Sequence, residues 1–304
     1  MGDDQMGDER YEERMKTKRL PSLPGALALA ALTTLTGCKY SILDPKGAVG
    51  EAQKQLILTS TISMLIIVIP VIMLTLWFAW RYRAGSGARY EPDWGHSRSI
   101  EVVCWGVPIA IILFLGTITW TSTHALDPYK PLDSQKQPIV IDVVALDWKW
   151  LFIYPAQGIA TINEIAFPVN TPVTFHITSD SVINSFFIPE LGSQIYAMAG
   201  MRTQLHLIAD QQGTFPGLSS FYSGRGFSDM HFNAISTTDA KFADWVANAK
   251  KSSDVIDASD YSKVAAPEEK APVRYFSTVE PNLFNEIIAK YLGKAESFNS
   301  GMKE

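Results

Sequence analysis

The chain has 304 residues, a formal net charge of -5 and a pI near 5.6. Its lysines and arginines are scattered rather than striped, which excludes a basic nucleic-acid surface. Two cysteines exclude a disulfide scaffold, and the 47% of hydrophobic residues are spread unevenly.

In chain order, Met15-Lys16-Thr17-Lys18-Arg19-Leu20 forms a basic start to the apolar run Leu20–Leu35. Leu35-Thr36-Gly37-Cys38 closes it and resembles a bacterial lipoprotein cleavage box. This is a secretory signal layout. Residues 1–37 are expected to be a signal peptide, with Cys38 as the lipidated mature N-terminus and 38–55 as an outer segment. The competing reading is a third membrane span, against which stand Pro21, Pro24 and the shortness of the run.

Leu56–Trp80 and Val102–Trp120 are long enough and apolar enough to cross a bilayer as helices. Trp77, Trp80, Tyr82, Trp105 and Trp120 lie towards their ends, where interfacial aromatics anchor spans. Pro70 and Pro108 fall inside the spans and need neighbouring helices to cover the kinks. Cys104 reads as a small apolar residue of the second span. The connecting segment 81–101 carries Arg81, Arg83, Arg89 and Arg98, which favours a cytoplasmic loop. Lys39, Lys46 and Lys54 blunt that bias, so the Cys38 signal decides it: Cys38 outside, the loop inside, and the chain after Trp120 outside again. Glu101, at the cytoplasmic end of the second span, is either an interfacial charge or a proton entrance.

Beyond Trp120 the pattern turns to strands: Ile139–Val144, Trp148–Tyr154, Val173–Thr178, Val182–Ile188, Thr203–Ala209 and His231–Ile235. Pro, Gly, Asn and Asp between them suggest a small β-sandwich or barrel over 127–246. Thr238-Asp239 precedes a short helix at Phe242–Val246. The tail 247–304 offers one strand or docking segment, Val273–Phe276, and a short amphipathic helix, Leu283–Leu292.

Catalytic signatures are lacking. The histidines 96, 124, 176, 206 and 231 form no ligand pattern with Cys or carboxylates. There is no CxxC pair, phosphate loop or GxSxG elbow. Ser228, Asp229 and His231 are too close in sequence to build a hydrolase triad.

Several segments carry a resemblance that spans nearly everything from Cys38 onward. They are Ser97–Pro108, Thr119–Pro128 with Thr123-His124-Ala125-Leu126, Asp147–Trp150, and Val182–Gly192 with Asn184-Ser185-Phe186-Phe187. The chain resembles subunit II of the haem-copper terminal oxidases, in the quinol oxidase branch of the cytochrome bo type. The resemblance implies a two-helix transmembrane hairpin, an all-β cupredoxin-like Greek-key barrel, and a C-terminal extension wrapping the complex. It implies a bacterial inner-membrane location, a periplasmic barrel, a catalytic subunit I holding the haems and copper, and further subunits III and IV among membrane lipids. Ubiquinol would be the substrate of the complex. Glu101 matches the family's glutamate at the mouth of a proton pathway.

Relatives that oxidise cytochrome c hold two coppers in this barrel. At their ligand positions this chain has Asn184 for the first His, Ser219 and Ser223 for the cysteines, Phe221 for the Glu, and Phe227 for the second His; only Met230 remains. Electron-transferring copper wants thiolate and imidazole. The expectation is therefore a barrel that binds no metal, no role for cytochrome c, and no catalytic residue in this chain. A stand-alone membrane lipoprotein or binding module is the alternative class. A copper-bearing electron carrier is opposed by the same substitutions.

Overall fold

The structure, a computed structural model, describes residues 41–87, 95–257 and 259–301, with side chains to residue 292. The signal segment and Cys38, with Arg89 of the loop, lie outside the described residues.

Two long helices come first. Helix α1 runs Ala48–Arg81 and α2 runs Arg98–Ala125, each several residues longer than its apolar run. At 1.5 Å per residue α1 is about 51 Å long, well beyond a ~30 Å hydrocarbon layer. The surplus lies at its N-terminus, where it docks on the folded domain. Both helices expose apolar side chains almost throughout, including Trp77, Trp80, Trp105 and Trp120. Several of their hydroxyls turn inward to the helix backbone. Ser63 donates to Thr59 O at 2.8 Å, Thr75 to Val71 O at 2.7 Å, and Thr117 to Leu113 O at 2.9 Å. Such bonds satisfy polar groups in a medium without water.

The folded domain opens with β1 (Ile139–Leu146), β2 (Lys149–Tyr154), β3 (Ile159–Ile162), β4 (Glu164–Pro168) and β5 (Val173–Ser179). Then follow β6 (Asn184–Ile188), β7 (Gly192–Ala197), β8 (Thr203–Leu207), β9 (Gly213–Ser219) and β10 (His231–Thr237). Helix α3 (Asp239–Ala249) is capped by Thr238, whose side chain accepts from Lys241 N. The tail adds β11 (Val255–Ile256), helix α4 (Tyr261–Ala265), β12 (Arg274–Phe276), β13 (Thr278–Val279) and helix α5 (Leu283–Gly301).

One sheet runs β12-β3-β2-β1-β5-β8 and the other β4-β10-β9-β6-β7. Both are mixed: β1 pairs parallel with β5, and β10 parallel with β4, while the other pairings within these two sheets are antiparallel; β11 and β13 form a separate parallel pair. The sheets enclose one core, built on Trp150, Phe152, Phe175, Phe186 and Phe232. Phe186 and Phe232 stack with centroids 5.1 Å apart, and Trp150 meets Phe186 edge-on at 5.4 Å.

The tail is part of this body rather than a loose arm. Strand β2 shows why. Its alternate residues Trp150, Phe152 and Tyr154 face the inter-sheet core, while Leu151 and Ile153 face a second core with Ile256, Phe276, Leu283, Phe284 and Ile287. A strand buried on both faces reads as a continuous apolar run, and Trp150–Tyr154 is one. Past residue 246, α3 continues to Ala249 and β12 extends the first sheet.

Three carboxylates fasten the tail. Asp180, 1% exposed, accepts from Tyr261 (2.8 Å), Lys290 (2.7 Å) and Tyr291 (2.7 Å). Glu268 joins the buried Lys149 at 2.9 Å and also Arg274. Glu164 accepts from Trp245 Nε1 at 3.0 Å and from the Tyr275 hydroxyl.

Helix α1 is fixed to the barrel by backbone contact. Lys46 N donates to Glu190 O at 2.7 Å, Gly50 N to Leu191 O at 3.0 Å, and Asp210 N to Lys46 O at 2.8 Å. A Cβ at Gly50 would stand 2.9 Å from Pro45 and 3.1 Å from Glu190 O, so this approach requires glycine.

Candidate functional site

The positions singled out in the barrel lie at one end of the second sheet and in the loop between β9 and β10. Strand pairing assembles the deep part. Phe186 pairs with Ser219, Ser219 N donates to Met230 O at 3.2 Å, and Ser220 N donates to Ser185 O at 3.1 Å. These contacts bring Asn184, Ser219 and Met230 together, all buried. The Ser219 hydroxyl lies 3.1 Å from Asn184 Oδ1 and 3.2 Å from Phe221 O. The Asn184 amide donates to Val182 O at 3.0 Å.

The other three positions belong to the loop. Phe221 is exposed and meets Tyr196 edge-on at 5.8 Å. Phe227 packs against the exposed Tyr222 at 5.6 Å. The Ser223 carbonyl accepts from Trp148 Nε1 at 3.0 Å, while its hydroxyl is buried without a hydrogen-bond partner among the described residues. Trp148, expected to begin a strand, instead sits in the turn before β2 with φ 64°. Its ring fills the space that a side chain at Gly226 would need, since a Cβ there would stand 2.5 Å from the indole. Arg225 lies 5.9 Å from that ring centroid and pairs with Glu269 of the tail at 2.5 Å.

This donor set does not fit a two-copper centre. One amide, two hydroxyls and two phenyl rings offer neither thiolate nor imidazole, and a single thioether is a weak ligand. The Asn184 oxygen and the Ser219 hydroxyl are also turned on each other. Among the described residues no group of three or more His, Cys, Asp or Glu is placed to hold a metal ion.

The histidines have local duties. His176 bridges Asp142 (2.9 Å) and Arg202 (2.7 Å). His206 Nε2 accepts from the Gln204 amide at 2.8 Å, and its Nδ1 lies 3.1 Å from Thr174 Oγ1. Burial pushes its pKa below the usual histidine value, and neighbouring His176 adds to this. His124 meets Trp120 O at 2.8 Å. His231 reaches the Ser228 carbonyl at 2.6 Å rather than its hydroxyl, so no triad forms there.

The second region is the start of α2. Glu101 lies in its first turn, where the helix dipole favours a carboxylate. Its Oε1 is 2.7 Å from His96 Nδ1, and the side chains are 52% and 64% exposed. Sequence reasoning passed over His96 as a partner, although a spacing of five residues across a helix start is a readable signal.

Outside the barrel end, the carboxylate Asp180 and the Lys149–Glu268 pair were also passed over, because nothing local marks a residue that bonds a segment about a hundred positions away.

Comparison with known proteins covers most of the chain. Residues 135–236 match the family model described as cytochrome c oxidase subunit II, periplasmic domain, and 250–295 match the COX aromatic rich motif. The chain is 56% identical over 280 residues to ubiquinol oxidase subunit 2 of Acetobacter aceti, covering 91% of each chain. It is 58% identical over 266 residues to cytochrome bo(3) ubiquinol oxidase subunit 2 of Pseudomonas aeruginosa, covering 87% of this chain and 80% of that one. The corresponding subunit of Pseudomonas putida is 55% identical over 280 residues, covering 92% and 89%.

Proposed function

The chain belongs to the subunit II family of bacterial quinol oxidases, and from that membership we propose that it serves a proton-pumping oxidase that oxidises ubiquinol and reduces dioxygen to water. It is a membrane protein with a periplasmic cupredoxin-like domain and works as a non-catalytic partner of subunit I. In this reading the haems and copper reside in subunit I, and the complex, completed by subunits III and IV, sits in the bacterial inner membrane.

The observation that carries the electron-donor assignment is the buried Asn184–Ser219 hydrogen bond where copper-bearing relatives need imidazole and thiolate. Cytochrome c has no electron acceptor in such a barrel. Electrons then enter from a membrane quinol at subunit I, and the barrel covers its outer face. The exposed rim of Val182, Ile183, Phe221 and Tyr222 supports an apolar contact with that partner.

Three finer assignments complete the proposal. Residues 1–37 form a signal peptide, and Cys38 is lipidated and anchors the mature chain. Segment 81–101 faces the cytoplasm. Glu101, paired with His96, feeds protons into a pathway of subunit I: an exposed carboxylate–imidazole pair offers exchangeable protons where a span begins.

The test is deletion of this chain in cells that depend on the oxidase. Ubiquinol-driven oxygen uptake is expected to be lost, together with haem assembly in subunit I, and to return on complementation. Undiminished uptake without the chain would refute the assignment.

A further inference from the structure

Trp148, at φ 64°, has a backbone conformation that side chains of its size rarely adopt. Such a conformation persists only where its surroundings hold it. Both of its chain neighbours are bonded to the tail. Glu268 N donates to Asp147 O at 3.4 Å, and Lys149 Nζ donates to Ala266 O and to Glu268 Oε2, each at 2.9 Å. The Lys149 side chain is 1% exposed, and a buried ammonium has to keep its partners. Arg274 shares the Glu268 carboxylate. Asn163 adds a further tie: its Oδ1 accepts from Trp150 N at 2.9 Å, and its Nδ2 donates to Ala271 O at 2.8 Å. The turn that carries Trp148 is therefore shaped by residues 266–271 of the tail.

The indole passes this restraint to the loop between β9 and β10. Its Nε1 donates to Ser223 O at 3.0 Å, and its ring occupies the space beside Gly224 and Gly226. The same loop carries Phe221 and Tyr222, 42% and 73% exposed, with Val182 and Ile183 beside them. Its donor set does not suit a copper cross-link, and the indole fills it instead. The direct contact of tail and loop, Glu269 with Arg225, leaves the arginine 83% exposed and counts for little. We propose that the tail presets the barrel-end rim for docking on subunit I: Glu268 fixes the Trp148 turn, and Trp148 fixes the loop that carries Phe221 and Tyr222. The inference rests on the reading of this rim as the contact with subunit I. Glu268 and Trp148 act as positioning residues. A rim ordered before docking loses less conformational freedom when the partner covers it.

The experiment uses the intact oxidase, purified with all its subunits, as parent, Glu268→Gln and Trp148→Phe. A benzophenone amino acid replacing Tyr222 first reads, in the parent, whether the rim meets subunit I. Absence of that cross-link would overturn the contact reading, and the proposal with it. Hydrogen exchange then reads the loop 220–228 and the tail 266–276, with β1 as the internal reference. Trp148→Phe is expected to raise exchange in the loop roughly tenfold or more and to leave the tail at the parent rate. Glu268→Gln is expected to raise exchange in both, with cross-linking from position 222 reduced severalfold. A loosened tail with the loop at the parent rate in Glu268→Gln would overturn the proposal and leave Glu268 a fastener of the tail alone. Parent-rate exchange in the loop of Trp148→Phe would overturn it as well, and this variant decides the matter if Glu268→Gln fails to assemble.

Discussion

Ser219 and Asn184 face each other at 3.1 Å in a place sealed from water, one hydroxyl against one amide oxygen. The pair gives the barrel end a neutral, self-sufficient hydrogen bond. Ser219→Ala removes the donor and strands a buried acceptor, at a cost of about 1–3 kcal/mol. Amide exchange at β6 in the intact complex is expected to accelerate accordingly, with ubiquinol oxidation unchanged. Ser219→Cys restores a thiol without imidazole, and metal analysis is expected to find no additional copper.

Asp180 is the strongest tie between tail and barrel. Asp180→Ala removes the acceptor that Tyr261, Lys290 and Tyr291 share. Breaking one partner of a buried polar cluster costs roughly 3 kcal/mol. Hydrogen exchange across Leu283–Leu292 is expected to rise well above that of β1. Equal protection in variant and parent would show that the apolar contacts of Phe284 and Ile287 suffice.

Acid should loosen this structure in two stages. Burial holds His206 below the ordinary histidine pKa, so the unfolded chain binds a proton that the folded chain refuses. Its contribution is complete above about pH 6.5 and is lost as pH falls through the folded pKa below that. The Lys149 hydrogen bond holds the Glu268 carboxyl below its usual range. That contribution is complete above about pH 4.5 and fades as pH falls through the depressed value. Hydrogen exchange corrected for intrinsic rates is expected to rise first at β8, as pH falls below about 6.5, and at β12 only below about 4.5. The opposite order would contradict this account.

Glu101→Gln keeps size and removes the titrating group beside His96. Turnover with saturating ubiquinol is expected to fall roughly 10-fold or more, within the range of positioned proton-transfer groups. Glu101→Asp should recover part of it. Full turnover in the Gln variant, with normal haem content, would reduce Glu101 to an interfacial charge.

The hairpin was legible because hydropathy over twenty residues is a strong signal; the extra turns at the ends of α1 and α2 were not. Strands with alternating or continuous apolar residues, such as β1 and β2, were legible for the same reason. Strand β9 was missed because its sequence Gly-Thr-Phe-Pro-Gly-Leu-Ser reads as a turn. Strand β7 was missed because Ser193 and the outward residues Gln194 and Tyr196 dilute the pattern. The sheet partner of the Val273–Phe276 segment was not legible because β12 is only three residues long and makes sense only against β3. At the barrel end, residue types alone disqualified copper. That Asn184, Ser219 and Met230 meet, while Phe221 and Phe227 form an outer aromatic layer, needed the fold.

The most direct test of the central claim is on the complex purified in mild detergent: metal and haem content, with oxygen uptake driven in turn by ubiquinol and by reduced cytochrome c. The account predicts uptake with ubiquinol alone, and copper confined to subunit I. Two further coppers in this chain, with uptake driven by cytochrome c, would contradict it.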